Sequence, residues 1–168
     1  MKTMRNPLWL LMLLLALSAC HFRGQDLFFE PIAQGDIINY RESNPALLII
    51  ADEDEIDALV PDVLAEDPAL AAQFRQLDYS CTFAILVLHG YVGSSGFSVT
   101  VRQVVRRDSE VIVQAEFVEP TIGTRIYPAF TSPYHLIAVS KVGAWGQQVR
   151  FVLMRDDQEV AETTHFVP

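Results

Sequence analysis

The strongest constraint on this fold is a period of two. From Phe97 the chain reads Phe97-Ser98-Val99-Thr100-Val101-Arg102-Gln103-Val104, with apolar and polar side chains in near alternation. Successive side chains of a strand point to opposite faces, so the pattern describes a strand with one dry face and one wet face. Arg107-Asp108-Ser109 interrupts it, and Glu110 to Val118 alternates again, which predicts a hairpin. The dry face of that hairpin must be covered, and other segments can cover it. Cys81 to His89 is a dense apolar run with β-branched and aromatic residues, a candidate central strand. Ala46 to Ala51 and Tyr134 to Val139 read as further strands. Ile37 to Tyr40 reads as a short one, broken by Ser43-Asn44-Pro45. Val149 to Met154 and Glu159 to Val167, around Arg155-Asp156-Asp157, predict a last hairpin.

Two short helices precede the main run of strands. Asp52 can cap the first, with Glu55 three places on as its capping-box partner and Ile56, Leu59 and Val60 as the inward face. The second runs from Pro68 to Leu77 behind Asp67, with Leu70, Phe74 and Leu77 at helical spacing. The expected class is α+β: mainly antiparallel β-sheet, sandwich-like, preceded by one or two short helices. Gly90 to Gly96 reads as a Gly/Ser loop, and Pro120 to Pro133 as a long loop.

The N-terminus has the order of a secretory signal. Lys2 and Arg5 supply positive charge, Leu8 to Leu17 an apolar core, and Ser18-Ala19 the small residues before a cut. That core is about half the ~20 residues needed to span a bilayer. Leu17-Ser18-Ala19-Cys20 resembles the lipobox of bacterial lipoproteins, in which the cysteine is acylated and becomes the new N-terminus. The expectation is a signal over 1–19, a lipid on Cys20, a tether over 20–35 with Leu27, Phe28 and Phe29 docking on the domain, and one domain over 36–168. Two or more acyl chains hold a protein at a membrane firmly. His21, where Asp would resemble an inner-membrane retention signal, leans the reading to the outer membrane if the cell has one.

Removing the signal takes Lys2 and Arg5 with it, which leaves 10 Lys+Arg against 21 Asp+Glu and moves the formal charge from −9 to −11. Such a surface repels nucleic acid and gives no electrostatic docking to anionic lipid, so the membrane partner is reached through the lipid. With Cys20 acylated, Cys81 has no disulfide partner; within Cys81-Thr82-Phe83-Ala84-Ile85 it reads as a small buried apolar residue.

Gly93-Ser94-Ser95-Gly96-Phe97 entering a strand, a hairpin, and then Thr131-Ser132-Pro133-Tyr134-His135 opening a strand that ends near Lys141 resembles the PrcB C-terminal-like family over roughly residues 46–141. Phe97 stands where that family usually has tyrosine, and Thr121-Ile122-Gly123-Thr124 replaces its Gly/Pro-rich loop. The resemblance implies an accessory lipoprotein subunit that assists a cell-surface, subtilisin-like protease without being one.

No catalytic constellation is legible. His21, His89, His135 and His165 lack metal-ligand spacing, and the acidic run Asp52 to Glu55 lacks the spacing of a calcium loop. The Gly90–Gly96 loop has neither a nucleophile elbow nor a phosphate loop. The chain therefore reads as a non-enzyme without metal or cofactor. Its expected partner-binding residues are Ser94 and Ser95 on the loop, Phe97, and Tyr134 and His135 at the later motif. A protease inhibitor that presents loops from a β-sandwich, loosely like chagasin, is the alternative, and a hydrolase comes third.

Overall fold

The computed structural model describes residues 24–168 except 38, 60–62, 65 and 66. The segment expected to be a signal and Cys20 lie outside the described residues, as do Val60 of the expected first helical face and Ile38 of the strand expected at 37–40. The chain opens with β1 (Gln25–Asp26), β2 (Phe29–Ile37) and β3 (Ala46–Ile50). A 3-10 turn (Glu53–Glu55), α1 (Ile56–Leu59) and α2 (Pro68–Arg75) follow, then β4 (Thr82–Leu88), β5 (Val92–Ser94), β6 (Ser98–Arg107) and β7 (Glu110–Val118). The long β8 (Pro128–Ser140) and the hairpin β9 (Gln147–Arg155) and β10 (Gln158–Val167) complete it. One sheet has the order β1-β6-β7-β9-β10 and the other β2-β8-β4-β3, with β5 added to β8.

The two sheets face each other across a core that includes Leu47, Ile49, Phe83, Ile85, Val99 and Phe151. A second core lies on the far side of β4 and β8, where Ile56, Leu70 and Phe74 cover Leu86, Leu88 and Leu136. This layering explains two sequence textures. Thr82 to Leu88 is apolar without alternation because sheet covers one face and helices the other. The hairpin β6–β7 alternates because its outer face is wet, as its buried positions Val99, Val101, Val111 and Val113 attest. Each large side chain so buried contributes about 1.5–3 kcal/mol.

The α+β sandwich is thus as expected, and several boundaries move. Residues 24–35, expected as tether, are built into both sheets. Gln25 and Asp26 pair with Arg106 and Val105 of β6, and Phe29 to Ile37 pairs with β8. Leu27 between them is buried in the inter-sheet core. The polar character of this stretch reflects an edge, where Pro31 lacks a donor and a register shift falls between Pro31 and Ala33. Of the strand expected at 37–40, Ile37 is the last residue of β2, and Asn39 and Tyr40 lie outside any strand. The last six residues of the long loop expected at 120–133, from Pro128 on, are the first part of β8.

Asp52 caps the 3-10 turn by accepting from the Asp54 amide, but Glu55 accepts from the amide of Ala51 at 2.8 Å rather than from that of Asp52. Asp67 caps α2 as expected, accepting from Leu70 N at 2.8 Å. The last hairpin joins its sheet through a parallel pairing of β7 with β9, since β8 has already carried the chain through the other sheet. Arg106 holds this crossing in place, its guanidinium 3.9 Å from the Trp145 ring, while Trp145 packs edge-on against Phe83. Cys81 is exposed, not buried, because it ends the turn before β4.

Candidate functional site

β6 runs from one end of the sandwich to the other, and the two ends differ. The chain enters the described residues at the end marked by Arg107, the base. The opposite end, the tip, gathers the chain after β4, strand β5, the start of β6, and residues 119–130 between β7 and β8.

The tip is shaped by glycine. After His89, Gly90 turns at φ +100°, and a Cβ there would lie 2.5 Å from the Ser43 carbonyl oxygen. Only glycine fits such a conformation beside such a neighbour. β5 then pairs with β8 through Val92 with Thr131 and Ser94 with Pro128. Ser95 closes this ribbon with both of its polar groups. Its amide donates to the Tyr127 carbonyl at 2.9 Å, and its Oγ accepts from the Tyr127 amide at 3.0 Å. A ring stack of Tyr91 on Phe130, with centroids 6.0 Å apart, covers one side of it.

The expected partner-binding residues separate into different roles. Phe97 and Tyr134 line one cleft of about 230 Å³ with Gln34, Gly35, Asp36 and Ser98. Tyr134 is otherwise buried, its ring laid against Gly35, where an added Cβ would come within 3.3 Å of it. Burial, reinforced by Asp67 and Asp36, pushes its hydroxyl above the ordinary phenol range. His135 points into the sandwich. Its Nδ1 accepts from the Val101 amide at 2.9 Å, so the ring is neutral at that nitrogen and replaces a missing strand partner of β6. Gln34 does the same one step along, donating to the Val99 carbonyl and Thr100 Oγ1. Burial, with Arg102 nearby, holds His135 below the ordinary histidine range. Ser94 and Ser95 are half-buried in the ribbon.

His89 is buried at the foot of the tip, between the rings of Phe97 and Phe117 at 5.3 Å from each. Neither ring nitrogen has a hydrogen-bond partner in the protein. Burial first, and Arg155 second, push its pKa down.

Sequence reasoning missed the most exposed apolar residues of the tip. Ile122, Tyr127 and Phe130 are 107, 56 and 65 % exposed, and Ile126 is exposed beside them. The signal was present in Ile122-Gly123-Thr124-Arg125-Ile126-Tyr127, an apolar-rich stretch inside what reads as a loop. Single exposed apolar residues are ordinary, but four within nine consecutive residues concentrate apolar exposure at this end of the molecule.

A larger cavity of about 540 Å³ opens near the base, where Asp52, Glu53, Asp78 and Lys141 line it. Lys141 Nζ is committed there to the carbonyls of Tyr79 and Ala51. Among the described residues no group of three or more His, Cys, Asp or Glu side chains is placed to hold a metal ion. No described helix is long and apolar enough to cross a membrane.

Residues 84–140, from the third residue of β4 to the end of β8, match the family described as PrcB C-terminal. That segment holds the whole tip, including the ribbon, the cleft residues Phe97 and Tyr134, and both buried histidines. No curated protein and no solved structure gives a significant match.

Proposed function

We propose that this chain, whose residues 84–140 match the PrcB C-terminal family, is an extracytoplasmic lipoprotein anchored by acyl chains on Cys20 that acts as a non-enzymatic accessory module. Its partner class in this reading is a protein of a surface protease complex, subtilisin-like proteases included. The observation that carries the reading is the tip: an ordered ribbon that presents Ile122, Tyr127 and Phe130 to solvent within the family segment, while the rest of the sandwich closes its core. A rigid sheet that presents an exposed loop is a common arrangement for binding.

The reading is tested on detergent-solubilised envelopes of the source cells. The acylated full chain is expected to co-purify with an extracytoplasmic protease at near-stoichiometric level, and Cys20→Ser to release it from the membrane fraction. A Cys20→Ser chain that stays in the membrane fraction, or a wild-type chain that purifies free of any protease, would sink it. The inhibitor reading uses the same end of the molecule, with Ile122 at the head of the Thr121–Thr124 turn. Slowing of a cysteine or serine protease by the chain in a purified assay separates the two.

A further inference from the structure

We infer that the tip docks into an apolar cleft with an acidic rim on a partner protein, and that it does so on the side of the domain facing away from the membrane. The inference rests on the anchored reading above for its orientation, and the two can fail separately.

The chain enters the described residues at the base. Gln25 lies opposite Arg106, and a Cβ on Gly24 would collide with the side chains of Val105 and Arg107. Gly24 is four steps along the chain from Cys20, and four extended steps reach no more than about 14 Å. A lipid on Cys20 therefore holds the base close to the bilayer. Ser98, at the tip end of β6, is nine residues from Arg107 along a continuous strand, or about 30 Å. Lying flat on the helix side would press Asp52, Glu53, Asp54, Asp57 and Asp67 toward anionic headgroups. On the opposite flank Arg102, Arg150 and Arg155 are already engaged by carboxylates. The short reach from Cys20 to the base, set against the length of β6, puts the tip on the side of the domain away from the anchor.

Charge then selects among occupants. Between Pro120 and Tyr134 the sole charged residue is Arg125, in a chain of net charge −9. Its guanidinium lies 5.4 Å from the centre of the Tyr127 ring, so the cation sits with one of the exposed aromatic side chains. Two copies meeting tip to tip would set Arg125 against Arg125, with the neighbouring carboxylates Glu119 and Asp36 already engaged by Arg155 and by the Thr131 hydroxyl. A partner with a hydrophobic cleft for Ile122, Tyr127 and Phe130 and a carboxylate beside it satisfies both features.

The test uses the full-length chain in its own cells, with a photoreactive benzoylphenylalanine placed at Ile122 or Phe130, and at Phe28 near the base as an exposed control. Irradiation is expected to give one protein adduct from the two tip positions and not from Phe28. Arg125→Glu should lower its yield about tenfold or more while Arg125→Lys retains most of it. The cross-linked peptide should come from an apolar cleft bearing an aspartate or glutamate. Adducts to lipid, adducts of the chain to itself, no protein adduct at either tip position, or a yield indifferent to Arg125→Glu would each overturn the proposal. Labelling of Cys20 with an alkynyl fatty acid in the same cells reports the anchor independently. An unlabelled chain with the expected adduct removes the anchored reading and leaves the docking surface standing.

Discussion

His89 and Gly90 sit side by side at the foot of the tip and constrain it in opposite ways. His89 must remain neutral, since its ring is enclosed by Phe97 and Phe117 and burial lowers its pKa in the fold. An unfolded histidine titrates near 6.5. Above about pH 6.5 neither state binds the proton and stability is at its full value. As pH falls below 6.5 the unfolded chain gains a proton that the folded chain refuses, so stability declines until the depressed folded pKa is reached. His135 adds a contribution of the same sign. Urea unfolding at pH 7.5, 6.5 and 5.5 should show this fall, and His89→Phe should flatten part of it; equal slopes in the two proteins would contradict the assignment. Gly90 is held by space and by φ together. Gly90→Ala places a methyl 2.5 Å from a carbonyl oxygen at φ +100° and should cost about 2–4 kcal/mol in the same assay. Neither residue's role was legible in the chain. His89 reads as the end of an apolar strand, and the ring pair that encloses it comes from the far ends of the β6–β7 hairpin.

At the level of elements, caps and alternation were readable because they are local. Asp67 before Pro68 announces α2, and the side chain does what the pattern requires. Asp67→Ala should lower stability by about 1 kcal/mol, measured by thermal or urea unfolding. The alternation of 98–118 located the hairpin to within a residue or two, because a half-buried strand writes its two faces into its own composition. Residues 128–133 were not readable. Their partner, β5, is three residues long, and its register with β8 is secured by Ser95 rather than by an apolar face. Ser95→Ala removes the acceptor of the Tyr127 amide and should speed hydrogen exchange at Tyr127 while changing global stability by no more than about 1.5 kcal/mol. Unchanged exchange at Tyr127 would show that the ribbon is held by something else.

For the molecule as a whole, the surprise is the N-terminal stretch. Residues 20–35 read as a tether, yet the described part of that stretch bridges the two sheets, pairing first with β6 and then with β8 and burying Leu27 between them. A chain begun at residue 36 would lose β1, most of β2 and the Gln34 contact to β6. It should be insoluble or unfold at markedly lower temperature than one begun at residue 24, as judged by circular dichroism melting. The amino-acid sequence by itself determined the class of the fold, the hairpin, the central apolar strand and the second helix. Each of these follows from residues near one another along the chain, where periodicity, capping and composition act. Only the tertiary structure decided that residues 24–35 belong to the domain, that β7 and β9 run parallel, that His135 serves β6 as a hydrogen-bond acceptor, and that Ile122, Tyr127 and Phe130 share one exposed tip. Those outcomes depend on which distant segments meet, and a strand edge or an exposed aromatic has no signature of its own until its neighbours are in place.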